Sequence, residues 1–251
     1  MFTICVRAKN IEQGRTLMAA GFSVLEITLP CPGGDQELAS WSDLGQSGQV
    51  SFLSHGPEEG DPTDIKHLES AYLPKLKQAL DQASRLPCPL LTVHFWLESR
   101  FLPPEVIASK IGLLRRVTEW GDDLGVQVDL ENLSESYMDL DRALKAVPGL
   151  GITLDVGHAQ LLASENESLS IIDHLFPRIR HLHLHDNNGG NSPRNDLHLP
   201  PGQGIVPFDA IFQRLQAKRY HGTGTLELSP DEAIKARKWV ESAWEKARAK
   251  G

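Results

Sequence analysis

Residues 126–158 read VQVDLENLSESYMDLDRALKAVPGLGITLDVGH. Val126–Glu131 is a short, apolar, β-rich run that ends on a carboxylate, and Gly151–Asp155 is a second run that ends the same way. Between them Tyr137–Ala146 carries apolar residues at helical spacing. A strand, a helix and a strand in about 30 residues is a βαβ unit, in which the strands pair in parallel through the crossover.

The same alternation runs outward in both directions. Strands are expected at Phe2–Val6, Ser23–Thr28, Gln49–Ser54, Leu90–His94, Val126–Glu131, Gly151–Asp155, Ile179–His183 and Gly224–Leu228. They are short and rich in Val, Ile, Leu and Thr, as strands buried on both faces are. Helices are expected at Asp64–Leu86, Pro104–Leu124, Tyr137–Ala146, Pro207–Ala217 and Pro230–Ala249, with a weaker pattern at Gln36–Leu44. Pro104 and Pro230 suit a first helical turn, and Ser229 is a candidate cap for the last helix. Eight units in 251 residues predict a single (β/α)8 barrel domain over 1–251, a fold that typically needs about 250 residues. An open doubly wound sheet is the alternative, but it would show a Gly-rich phosphate loop after the first strand. Here that strand runs into Arg7-Ala8-Lys9-Asn10. The longest irregular stretch, Asp186–Val206, is too long for an ordinary βα connection and is read as functional.

Composition narrows the function classes. Cys5, Cys31 and Cys88 form no CxxC pair, which argues against a disulfide scaffold or a cysteine-built zinc site. No signal peptide or membrane-spanning run is visible, so a cytoplasmic location without membrane contact is expected. The net charge of -8 disfavours nucleic acid, whose binders carry basic patches. The expected partner is a small-molecule substrate, and a homo-oligomer stays open.

Polar chemistry falls at the strand ends. In order these give His55, His94, Glu131, Asp155 with His158, His183, then Asp196 and His198 on the long loop, and Glu227. In an α/β barrel such positions ring one mouth, where active sites sit. Singly, each has a bland reading: a strand-end His is commonly a hydrogen-bonded rim residue, and a lone Glu there commonly pairs with Lys or Arg. Nine coincidences at the same end of consecutive strands are another matter. Imidazole with carboxylate is a mixed ligand set for divalent metals, and nine ligands exceed the need of one ion. The expected cofactor is therefore a divalent metal, zinc foremost and two or three ions, with manganese or magnesium as alternatives. His181, His183 and His185 alternate on one side of the seventh strand; His181 lies deeper, as a hydrogen-bonded core residue. His67, His174 and His221 fall in helix or loop contexts and are read as structural or surface residues.

The motifs SHGP, LEN, LDVGHA, HLHD and DLHLPPGQGIVPFDA resemble the xylose isomerase-like barrel superfamily, in the branch that holds endonuclease IV and the sugar-phosphate isomerases and epimerases. By that resemblance His55, His94 and Glu131 bind a first metal. Glu131 bridges to a second, held also by Asp155, His183 and Glu227, and His158, Asp196 and His198 hold a third. The four residues Glu131, Asp155, His183 and Glu227 also match the single-metal set of the isomerase relatives. One departure is the segment Gly56-Pro57-Glu58-Glu59-Gly60-Asp61, acidic and without an aromatic wedge where endonuclease IV meets DNA.

Two activities follow. In phosphoester hydrolysis, several ions activate water and clamp the attacking and leaving oxygens. In isomerisation or epimerisation of a sugar, one ion polarises a carbonyl while Glu131 and Glu227 move protons on an enediolate. The ligand count puts hydrolysis slightly ahead; a barrel that binds sugar or metal without chemistry is a third reading. The candidate catalytic residues are Glu131, Glu227 and His158. His185, Asn187, Arg194 and Trp96 are candidates for substrate contact, with Asn188 and Phe95 beside them.

Overall fold

The computed structural model describes residues 2–46 and 48–250. Eight parallel strands close into a barrel in sequence order: β1 Thr3–Ala8, β2 Val24–Thr28, β3 Ser51–His55, β4 Leu90–Val93, β5 Gln127–Glu131, β6 Gly151–Asp155, β7 Ile179–Leu184 and β8 Thr223–Leu226. β1 pairs with β8 through Thr3–Thr223 to Val6–Leu226, which completes the ring. Each expected strand forms, within two residues of its expected ends. β1 runs on to Ala8, so Arg7 is a strand residue.

Helices fill the outer ring: α1 Ile11–Ala19, α2 Gly34–Gln46, α3 Leu73–Arg85, α4 Pro104–Leu124, α5 Tyr137–Ala146, α6 Ser168–Leu175, α7 Phe208–Ala217 and α8 Pro230–Lys250. The run expected over Asp64–Leu86 is continuous but uneven. A short turn, Ile65–His67, passes through one wide π turn, Leu68–Tyr72, into α3. α3 buries Leu73, Leu76, Ala79, Leu80 and Ala83, the spacing of a helix with one face on the barrel. Ser136 and Asp139 cap α5 reciprocally. At the start of α8 the N–H and the hydroxyl of Ser229 both donate to Glu232. Among the described residues no helix is long and apolar enough to cross a membrane. All three cysteines are free and buried.

Strand alternation sorts the barrel into two surfaces. Leu25, Ile27, Leu91, Val93, Val128, Leu130, Ile152, Leu154, Leu182 and Leu184 pack outward with the helices in one apolar core. The inward residues form layers. Cys5, Glu26, Leu53, Thr92, Asp129, Thr153, His181 and Thr225 occupy the middle layer, all buried. Above them Arg7, Thr28, His55, His94, Glu131, Asp155, His183 and Glu227 supply one side chain per strand at the carboxyl-terminal mouth. His94 and Glu227 stand one residue past their strands.

The middle layer is held by polar contacts: Thr92 Oγ1 lies 2.8 Å from Thr153 Oγ1, and His181 bonds Thr223 and Thr225 at 2.6 and 2.9 Å. Asp129 is the exception. Both of its oxygens are buried without a hydrogen-bond partner, crowded against Gly151, where a Cβ would come within 2.0 Å of Oδ1. Burial pushes its carboxyl up to about 7, with Arg180 and Arg178 only partly offsetting. The folded chain thus holds a proton that the unfolded chain releases near pH 4, and stability falls as pH rises through that window. Asp129→Asn is expected to stabilise the fold by about 1–3 kcal/mol at pH 8 and to have little effect at pH 4, read by thermal unfolding at both pH values.

Candidate metal centre at the barrel mouth

Glu131 is the hub of the mouth. Its Oε2 lies 3.1 Å from His55 Nε2 and 3.0 Å from His94 Nε2. Its Oε1 lies 3.1 Å from both His158 Nδ1 and His183 Nδ1. Asp155 and Glu227 approach the same His183 nitrogen at 3.7 and 3.6 Å. One ligand atom from each of Glu131, Asp155, His183 and Glu227 therefore lies within 4.8 Å of the others.

A second group lies beside it. His158, His185, Asp196 and His198 also bring one ligand atom each within 4.8 Å. His158 Nε2 and His198 Nε2 sit 3.2 and 3.0 Å from Asp196 Oδ2. The far nitrogen of each ring meets an acceptor: Asn132 O for His158, Glu227 O for His198 and the Asp155 carboxylate for His185. That arrangement points the near nitrogens at Asp196. His55, His94 and Glu131 form a third group around Glu131 Oε2.

These residues fit a divalent ion. Glu131 Oε1, His183 Nδ1, His185 Nδ1 and Asp196 Oδ1 are buried and lack hydrogen-bond partners, which is costly unless a cation meets them. Electrostatics agree. Burial alone would raise the Glu131 carboxyl, but His183 and His94 outweigh it and hold it well below the usual carboxylate range. Burial would lower the His183 imidazole, yet Glu131, Glu227 and Glu26 hold it well above its ordinary value. His198 is pushed up to about 9 against the effect of burial by Asp196 and Glu227. Carboxylates that draw protons onto neighbouring imidazoles draw a metal ion by the same field.

The loop after β7 is folded by one carboxylate. Asp186 accepts from the N–H groups of Asn187, Gly202 and Val206, and its backbone pairs with Leu199. This swings Asp196 and His198 over the mouth. His198 sits at φ 45, a conformation that costs of order 1 kcal/mol or more for a non-glycine residue and clusters at functional sites. Gly157 is needed for close approach, since a Cβ there would lie 2.2 Å from the His185 ring.

The mouth opens into a cavity of about 930 Å³ lined by Arg7, His55, His94, Glu131, His158, Asp196, His198 and Glu227, with Lys9, Glu58 and Glu232 at its rim. The residues expected to meet substrate are not brought there. His185 is fully buried, its ring stacked on His198 at 3.9 Å. Asn187 is buried with its amide spent on Gly157 O and Gly189 N. Arg194 lies exposed on a turn of the loop. Trp96 donates Nε1 to Ser134 Oγ and stacks on Phe101, and Phe95 packs on Tyr72. The acidic segment after β3 also divides: Glu58 faces the cavity, whereas Glu59 turns inward to Lys110 Nζ at 2.6 Å and to the Trp96 N–H.

Two participants escape a reading of strand ends alone. Glu26, mid-strand in VLEIT, accepts from His181 Nε2 at 2.9 Å and from His183 Nε2 at 3.1 Å. Arg7 Nη1 bridges Glu26 and Glu227 at 2.9 and 3.1 Å. The signal available was the lone charge in each otherwise apolar strand.

A barrel with a carboxylate–histidine cluster at its carboxyl-terminal mouth defines a class of protein, and the chain belongs to it: the sequence model of the xylose isomerase-like TIM barrel family matches residues 16–246. The fructoselysine 3-epimerase of Shigella flexneri is 26% identical over 219 residues, covering 82% of this chain and 78% of its own. An uncharacterized protein of Methanocaldococcus jannaschii is 25% identical over 71% of this chain, which spans 64% of that relative's length. Among solved structures, a D-tagatose 3-epimerase-like protein superposes with a TM-score of 0.82 at 20% identity, covering 99% of both chains; it shares the fold.

Proposed function

We propose that this protein is a divalent-metal-dependent epimerase or isomerase of a small sugar or sugar derivative. The observation that carries the reading is the convergence of Glu131, Asp155, His183 and Glu227 on one point beneath an open cavity. Two of these carboxylates stand three strands apart around the ring, on β5 and just past β8, and so reach a bound substrate from different sides. A bound ion supplies charge that polarises a carbonyl and its neighbouring hydroxyl. Glu131 or Glu227 takes the carbon-bound proton beside the carbonyl, and the other returns a proton to the opposite face. His55 and His94 hold Glu131 Oε2 in register, and Arg7 holds Glu227 Oε1.

The ligand count alone tilts the sequence toward phosphoester hydrolysis. The relatives do not support that preference: the fructoselysine 3-epimerase that matches 82% of this chain is a sugar-derivative epimerase by name. The extra ligands keep a use in this reading. His158, His185, Asp196 and His198 would hold a second ion, zinc by their histidine content, whereas the carboxylate-rich principal group also suits manganese or magnesium. His198→Gln is then expected to lower the metal content by one ion per chain, measured by elemental mass spectrometry of protein purified without chelator.

The function is tested by incubating the zinc- or manganese-loaded protein with fructoselysine, tagatose, ribulose and related ketoses, following products by NMR. A new epimer or isomer from at least one is expected. Phosphate release from a phosphoester panel, with no ketose converted, would return the assignment to hydrolysis.

A further inference from the structure

Glu26 stands inside the barrel one layer below the metal-ligating residues, fully buried. It belongs to one of the groups that could hold an ion, with His55, His183 and Glu227, but its oxygens are already engaged. Oε2 meets His181 Nε2 at 2.9 Å, and His183 Nε2 lies 3.1 and 3.2 Å from the two oxygens. Oε1 also meets Arg7 Nη1 at 2.9 Å. His181 is itself anchored by Thr223 and Thr225, and Arg7 by Thr28. A carboxylate that receives three nitrogen donors in a buried site is a fixed reference point for all three.

Two consequences follow. A His183 ring that donates Nε2–H to Glu26 presents Nδ1 as a lone pair, and Nδ1 is the atom that faces Glu131, Asp155 and Glu227 without a hydrogen-bond partner. Glu26 thereby selects both the tautomer and the ring orientation that a metal needs. Arg7 is shared between Glu26 and Glu227. Without Glu26 its charge would fall wholly on Glu227 and compete there with the ion.

We infer that Glu26 is the positioning residue of the principal metal centre, aiming His183 Nδ1 at the ion and restraining Arg7 from neutralising Glu227. The inference rests on the metal-centre part of the proposed function and not on the substrate, so it is tested with zinc alone, in the absence of any sugar.

Zinc affinity is measured by competition with a chromophoric chelator in the wild type, E26Q, R7M and R7M/E26Q, following the binding step that E227Q removes. E26Q is expected to bind about 10–100-fold more weakly than wild type. R7M/E26Q is expected to bind more tightly than E26Q, because the competing charge is gone, yet more weakly than R7M, because His183 has lost its guide. Folding is checked by circular dichroism of the metal-free proteins. If E26Q alone does not fold, the comparison of R7M/E26Q with R7M carries the test, since no guanidinium is then left unpaired beside residue 26. Zinc affinity in E26Q equal to wild type, or in R7M/E26Q equal to R7M, would overturn the assignment. A purely structural role would lower thermal stability and leave both ratios at one. Absence of epimerase activity would count against the proposed reaction and leave these ratios untouched.

Discussion

Replacing Glu131 by glutamine is expected to lower ketose turnover by at least about 10³-fold. Loss of a positioned proton-transfer group alone costs about 10²–10⁴, and Glu131 is also the shared partner of four imidazoles: His55, His94, His158 and His183 all lie 3.0 to 3.1 Å from its oxygens. Glutamine keeps the shape and one acceptor oxygen but presents an amide to two of those rings. The charge that gathers the cluster disappears with it. The measurement is kcat and KM for the best ketose, together with metal content per chain. Both kcat and metal content should fall. A variant that keeps full metal content and turns over within tenfold of wild type would show that Glu131 is neither base nor ligand.

Removal of metal is the second large effect. Dialysis against a strong chelator is expected to reduce turnover below about one per cent, with recovery on adding back a divalent ion. It should also lower the melting temperature. An ion present at about 100 times its dissociation constant stabilises the folded state by about 2.7 kcal/mol, and a chain of this size shifts by about 2–4 °C per kcal/mol. A fall of about 5–10 °C per ion follows, larger if both groups empty. Scanning calorimetry with and without chelator reads it directly. An unchanged melting temperature would mean that Glu131 Oε1, His183 Nδ1 and His185 Nδ1, which make no hydrogen bond, are met by something other than a metal.

Much of this architecture is legible in the chain because the strands announce themselves by apolar runs such as VQVDLE and GITLD, and β3 to β8 do so again by the carboxylate or imidazole at their ends. That regularity gives the barrel, its closure and six of the eight inward side chains of the upper layer. The middle layer is harder. Glu26 and Asp129 are polar residues halfway along buried strands, where attention to strand ends passes over them; only the inward alternation, counted down from the mouth, puts Glu26 beneath His183. Arg7 is obscured because β1 is longer than its apolar run.

The long loop is the least legible part. Its path depends on Asp186 gathering N–H groups from Gly202 and Val206, up to 20 residues away, and no local pattern encodes that. Asn187 is consumed in the same construction, and Arg194 is carried outward by it. His185 shows how a small offset matters: two positions beyond His183, it bonds Asp155 and stacks on His198 beneath the surface of the cavity. The segment after β3 is acidic in sequence, but burial of Lys110 requires a counter-charge, and Glu59 supplies it.

The most direct test of proton transfer at this centre is solvent isotope exchange. The metal-loaded protein is incubated with the ketose panel in deuterium oxide, and the recovered sugars are examined by NMR. One deuterium on a carbon adjacent to the carbonyl is expected, in both the product and the returned substrate, absent from chelated protein and absent from Glu131→Gln. Turnover without any deuterium at that carbon, or exchange that persists after metal removal, would contradict a metal-assisted enediolate between Glu131 and Glu227.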